Sequence, residues 1–256
     1  MAAQEFSIVT KACLKNLQDA VVAVKSVCKG NPNNPANIPQ EIELLAACDH
    51  PNILEFIESF EDSAYYHIVT EYCDLGNASN YFLQWKQPSE LLVAHWLNSA
   101  IAALEYLHKR RVVHLDIKPS NFLVKSCGTS IVFKLADFGL ARSVGNWQEP
   151  AGTWPFMAPE QTTGTCTEKS DIWALGISLY YVFRGQTPCD KPSAAGISNS
   201  QSDNANCCCE EWDSIPHEAQ ELIRLMIAEV PSERLTLQQI RSHPWLARHL
   251  SKLPRT

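Results

Sequence analysis

Residues His114–Leu140 read HLDIKPSNFLVKSCGTSIVFKLADFGL. Two short apolar runs inside this stretch, Phe122–Lys125 and Ile131–Leu135, are rich in β-branched and aromatic residues and read as strands. Around them stand four groups with chemistry to offer: Asp116, Lys118, Asn121 and Asp137. Taken one at a time, each has a plain structural reading. Asp116 suits a turn, and Asp137 ahead of Phe138 and Gly139 suits a type I or II turn. Their meaning depends on what flanks them.

On the N-terminal side the chain reads as strands with one helix. Ala20–Val27 (AVVAVKSV) and Tyr65–Tyr72 (YYHIVTEY) are β-type runs. Between them Ile38–Cys48 places Ile42, Leu45 and Ala46 at helical spacing, with Pro39 in the first turn. After Gly76 the pattern turns helical. Ser89 is the expected N-cap of a helix over Glu90–Arg110, whose apolar face includes Trp96, Leu97, Ala100, Ile101, Leu104 and Leu107. Asp171–Phe183 (DIWALGISLYYVF) is apolar on nearly every side, as a central helix should be. Glu218–Ala228 is amphipathic, and Thr236 with Gln239 forms a capping box for a last helix expected to stop before Pro244. Gly185–Pro216 differs: its centre, ISNSQSDNAN, has little to bury and predicts a mobile exposed loop.

Composition narrows the function classes. The chain has 256 residues, 45% of them hydrophobic, enough for a substantial core. Its 21 Lys and Arg against 28 Asp and Glu leave a net charge of -7, which argues against nucleic acid as a partner. No apolar run approaches the roughly 20 residues of a membrane span, and Met1–Thr10 has no secretion signal. An intracellular location, cytoplasmic and/or nuclear, is expected. Ten cysteines occur without a CxxC pair, so reduced thiols are expected rather than disulfides or zinc. The adjacent Cys207, Cys208 and Cys209 are expected to be inert.

In chain order the sequence gives VAVK (Val22–Lys25), EIELL with Glu41, HLDIKPSN (His114–Asn121), ADFG (Ala136–Gly139) and MAPE (Met157–Glu160). This ordered set resembles the eukaryotic-type protein kinase family. The resemblance runs from about Phe6 to Leu246. It implies an α+β, two-lobed fold: a small antiparallel β N-lobe with one helix over 1–73, its first strand truncated, and a mainly α-helical C-lobe over 74–256.

The resemblance also implies roles. Lys25 contacts the α and β phosphates of ATP and is fixed by Glu41. Asp116 accepts the proton of the substrate hydroxyl or orients it, and Lys118 reaches the γ-phosphate. Asn121 and Asp137 hold Mg²⁺. Val9, Ala23 and Leu123 sandwich the adenine, Thr70 is the gatekeeper, and the backbones of Glu71 and Cys73 bond the adenine edge. Leu45, Phe56, His114 and Phe138 stack into a column joining the lobes, which makes His114 structural. Asp171 opens a DxWxxG segment, and Arg234 pairs with Glu160. Lys118 and Thr153 point to serine and threonine of protein substrates as acceptors. Asn77 and Ser120, near positions where kinases selecting Arg carry acids, disfavour that selection.

Two departures stand out. Ala2, Gln4 and Ser7 occupy the positions of a glycine-rich loop, where glycines let backbone N–H groups approach phosphates, so weaker ATP binding is expected. Leu115 replaces the Arg that reads an activation-segment phosphate, so activity is expected not to need that phosphate. An active Ser/Thr kinase, a pseudokinase serving as a scaffold and a small-molecule kinase all remain as readings, the last opposed by MAPE, Asp171 and Arg234.

Overall fold

The computed structural model describes residues 3–4, 7–14, 20–29, 37–146, 151–188 and 212–252. Most of the expected loop Gly185–Pro216, including Cys207, Cys208 and Cys209, lies outside the described residues, and so does Ala2. Strands β1 (Ala3–Gln4), β2 (Ser7–Leu14), β3 (Ala20–Cys28), β4 (Phe56–Glu61) and β5 (Tyr65–Glu71) form an antiparallel five-stranded sheet in the order β1-β2-β3-β5-β4. Its register fixes the site. Val9 lies opposite Lys25, Ala23 opposite Thr70, and Lys25 opposite Ile68. Side chains alternate along a strand, so Val9, Ala23, Lys25 and Thr70 share one face.

Helix α1 (Ile38–Ala46) packs on the sheet. Asn37 caps it by accepting from the Gln40 N–H at 3.4 Å, and Pro39 lies in the first turn. The buried face is Ile38, Glu41 and Leu45, whereas Ala46 is exposed and Ile42 only half-buried. The expected stripe of Ile42, Leu45 and Ala46 is therefore rotated, because a carboxylate takes a place on the inner side.

The C-terminal region is mainly helical. It begins with α2 (Ala78–Leu83) and α3 (Glu90–Lys109), the latter capped by Ser89, whose hydroxyl accepts from Leu92 N–H at 3.3 Å. The short β6 (Val112–Val113) pairs with β9 (Arg142–Ser143), β7 (Phe122–Cys127) with β8 (Ser130–Leu135), and β10 (Gly145–Asn146) with β11 (Thr165–Cys166), all antiparallel. Then come α4 (Glu168–Arg184), α5 (His217–Met226), α6 (Leu237–Ser242) and α7 (Pro244–Leu250). Trp96, Leu97, Ile101, Leu104, Leu175, Leu179, Tyr180, Leu222, Ile223 and Trp245 make one core. Gly176 is required where α4 meets α5, since a Cβ there would lie 2.7 Å from Ile227 Cγ2 and 2.9 Å from Met226 Cβ.

One expectation is corrected here. The helix capped by Thr236 does end at Ser242, but it is not the last, because α7 starts at Pro244. Proline in a first helical turn loses no hydrogen bond, so it breaks α6 and starts α7. Trp245 and Leu246 are then fully buried, and the Trp245 indole N–H donates to Glu90 at 2.7 Å. Among the described residues no helix is long and apolar enough to cross a membrane.

Candidate active site

Where the sheet meets the helical region, three charged side chains converge. The Lys25 ammonium donates to Glu41 Oε1 at 2.7 Å and to Asp137 Oδ1 at 3.2 Å. Burial opposes the charge on Lys25, but the two carboxylates outweigh it and raise its pKa above the ordinary lysine value. Burial pushes the Glu41 carboxyl up against the pull of Lys25. Burial would also raise Asp137, yet Lys25 beside it holds that carboxyl below its usual range. Asp137 follows β8 with φ of 62°, a left-handed backbone that turns its side chain back toward Lys25.

Asp116 is the second centre. It is buried, 6% exposed, and both oxygens are engaged. Oδ1 accepts from the Thr153 hydroxyl at 2.6 Å; Oδ2 accepts from Asn121 Nδ2 at 2.8 Å and lies 2.8 Å from Lys118 Nζ. Asn121, in the 3-10 turn Pro119–Asn121, also donates from Nδ2 to the Asp116 carbonyl at 2.8 Å. Lys118 further donates to Thr153 Oγ1 at 2.7 Å. These bonds bring a carboxylate, an ammonium, an amide and a hydroxyl together beside Asp137.

The stretch carrying Asp116 is suspended from α4. Asp171, fully buried, accepts from the N–H groups of His114 at 3.0 Å and Leu115 at 2.8 Å, and from His108 Nε2 at 2.8 Å. Burial alone would raise its pKa; the His108 bond and these amides lower it instead. His114 is fully buried, its Nε2 is 3.2 Å from the Ala136 carbonyl, and its ring meets Phe138 edge-on at 5.1 Å. It packs rather than facing the open site. Leu45, Phe138 and the half-buried Phe56 belong to the same core.

The remaining predicted positions lie on β2, β3, β5 and β7 and just after β5. Val9, Ala23 and Thr70 share the Lys25 face, and Leu123 is half-buried on β7, bridged to Asn77. Cys73 is half-buried, and burial pushes its thiol up to about 12. Glu71 alternates to the opposite face. Its carboxylate accepts from Lys125 at 2.7 Å and the Glu55 N–H at 2.9 Å, and pairs with Lys134 at 2.6 Å. This lock between β5 and the β7–β8 pair had no signal in the sequence, because nothing local marks two lysines as partners of one distant glutamate. The pairing of Arg234 with Glu160 is present, with two bonds of 2.7 and 2.8 Å.

A family model described as the protein kinase domain matches residues 5–246. Calcium-dependent protein kinase 3 of Plasmodium berghei (strain Anka) is 29% identical over 245 residues, covering 92% of this chain and 44% of that protein. Serine/threonine-protein kinase ULK3 of Homo sapiens is 29% identical over 247 residues, covering 94% of this chain and 52% of that protein. Calcium-dependent protein kinase 24 of Arabidopsis thaliana is 29% identical over 215 residues, covering 82% and 37%. The chain thus spans about half the length of these relatives, or less.

Proposed function

The chain belongs to the protein kinase family, and from that premise we propose that it transfers the γ-phosphoryl of Mg-ATP to serine or threonine hydroxyls of protein substrates. The observation that carries this reading is the Asp116 carboxylate, held by Asn121 and Thr153 with Lys118 at 2.8 Å. In phosphoryl transfer the protein mainly positions the groups and neutralises charge.

Each side chain then has a task. Lys25, kept charged by Glu41 and Asp137, binds the α and β phosphates. Asp116 takes or orients the proton of the acceptor hydroxyl, the place its bond to Thr153 now fills. Lys118 offers positive charge to the γ-phosphoryl from the same loop. Asp137, held ionised, and the amide oxygen of Asn121 are donors of the kind a hard cation takes, and they would hold Mg²⁺. When bound, that ion neutralises phosphate charge. Val9, Ala23 and Leu123 enclose the base below Thr70, and the backbones of Glu71 and Cys73 bond its edge. We place the lobe division after Cys73, giving lobes 1–73 and 74–256.

A pseudokinase scaffold is the second reading, and one observation favours it. Gln4 and Ser7, at two of the positions where glycines are expected, face each other as paired strand residues. Neither is the glycine whose bare backbone lets a phosphate approach closely. The test is phosphate transfer from Mg-ATP to mixed casein, with Asp116→Asn as the blank. Transfer by the parent and none by the variant is expected. No transfer by either protein at millimolar Mg-ATP, with autophosphorylation also absent, would favour the scaffold.

A further inference from the structure

The residue after Glu160 is a buried amide. Gln161 stands in the 3-10 turn Pro159–Thr163 and is 1% exposed. A buried carboxamide has to place its donors and acceptor or lose roughly 1–3 kcal/mol for each orphaned group. Its Oε1 accepts from the Ala158 N–H at 2.8 Å. Its Nε2 donates to the Ala151 carbonyl at 2.6 Å and makes a longer contact, 3.5 Å, with the Leu115 carbonyl.

Those two carbonyls lie on separate segments that meet at the site. Leu115 precedes Asp116; Ala151 precedes Gly152 and Thr153, whose hydroxyl bonds Asp116. The approach is close and the backbone between is one that favours glycine. Gly152 has φ of 135°, and a Cβ there would lie 3.0 Å from Gln161 Nε2 and 3.2 Å from the Leu115 carbonyl oxygen. Leu115, with φ of 65°, buries its side chain in a small separate cluster with Val113, Ala151 and Cys166, against which Leu140 and Val144 pack.

We propose that Gln161 is a positioning residue for phosphoryl transfer, its carboxamide strapping the Ala151–Thr153 stretch to the Leu115–Asp116 loop and so setting Thr153 against Asp116. The inference rests on the reading of Asp116 given above. A neutral amide and an apolar cluster hold this segment where a phosphate and an arginine would otherwise do so. A purely local role, capping the Pro159–Thr163 turn through Oε1, would leave the Nε2 contacts without consequence for rate.

Two variants separate these roles. Gln161→Leu removes both donors and the acceptor. Gln161→Glu keeps the shape and the acceptor, but when ionised it faces two carbonyl oxygens; when protonated it donates again, and burial brings that protonation toward neutral pH. Amide hydrogen exchange is followed in peptides spanning 112–118 and 151–158, alongside transfer rates from Mg-ATP to mixed casein. For Gln161→Leu, exchange in both peptides should rise about tenfold and the KM for casein should rise with a fall in kcat, while the KM for ATP stays within about twofold. For Gln161→Glu, the rate relative to the parent should climb as pH falls from about 8 to about 6, tracking protonation of the buried acid. Parent-like exchange in both peptides, or a ratio for Gln161→Glu that is flat with pH, overturns the proposal. If Gln161→Leu does not fold, Gln161→Glu decides alone. A parent that transfers no phosphate defeats the kinase reading, and the exchange data then judge the strap by themselves.

Discussion

Glu41, buried, and Glu160, partly buried, each meet a basic partner, one beneath the sheet and the other among the helices. Glu160 accepts two bonds from Arg234 and a third, at 2.9 Å, from Ser170. Arg234, itself fully buried in its side chain, spends its other donors on the carbonyls of Ala228, Lys169 and Glu229 and lies over the Trp173 ring at 4.9 Å. Every partner there is fixed. Glu41 accepts a single bond from Lys25, and its buried Oε2 has no hydrogen-bond partner among the described residues. Lys25 keeps 22% of its side chain exposed and divides itself between two carboxylates. Satisfied buried pairs act as scaffold, whereas unsatisfied ones persist where another demand overrides stability. The first pair holds the C-terminal region together; the second keeps an ammonium available at the cleft.

Removing one partner from each pair breaks the comparison most sharply. Arg234→Ala removes a fully buried cation and strands the partly buried Glu160 carboxylate, and should lower the unfolding free energy by about 3 kcal/mol, read from the urea midpoint. Lys25→Met should cost no more than about 2 kcal/mol by the same measurement, because Glu41 can take up a proton. Equal losses from the two variants would erase the distinction drawn here. In phosphate transfer the order reverses: Lys25→Met should reduce the rate about 10²–10³-fold, the loss of one preorganised donor to developing charge.

Acid sharpens the contrast further. Burial would raise Glu160, but Arg234 and its other donors hold its pKa below the ordinary carboxylate value. The folded state therefore binds fewer protons than the unfolded state there, and the stability this supplies is present above the unfolded pKa and lost as pH falls through the folded one. The parent's advantage over Arg234→Ala should narrow below about pH 4.5. A constant advantage down to pH 3 would contradict it. The smallest effect concerns Leu115, whose apolar burial leaves no charge to receive a phosphate. Phosphatase treatment should change turnover by less than about twofold, and a tenfold loss would refute this.

The parts of the fold legible in the sequence are those in which one physical signal acted locally. Ser89 and the apolar face of α3, the β-branched run of β3 and the Thr236–Gln239 box all declare themselves within a few residues. Two elements had weaker voices: α2 is only six residues long, and β4 is an edge strand exposed along nearly its whole length. Pro244 signals only a stop in the sequence, because a proline that ends one helix can equally begin another. On α1, periodicity assumes apolar residues face inward, and Glu41 breaks that assumption. Motif order singled out Lys25, Glu41, Asp116, Lys118, Asn121 and Asp137 as candidates. Gln161 gave no such signal, since a glutamine after Glu160 shows its meaning only when two carbonyls from distant segments converge on it.

The lock between Glu71 and the two lysines bears on how the cleft can move. It pins the end of β5 to the β7–β8 pair, as the bonds from Leu54 N–H to the Leu135 carbonyl at 2.9 Å and from Leu135 N–H to the Asn52 carbonyl at 2.8 Å pin the chain ahead of β4, so this side of the sheet is the anchored one. β2 lies two strands away, roughly 10 Å at the usual strand spacing. A swing of about 10° would carry β2 through about 2 Å and leave the pinned end of β5 nearly still. Thr70, next to Glu71, then stays nearly still, and Val9 on β2 is the residue that travels.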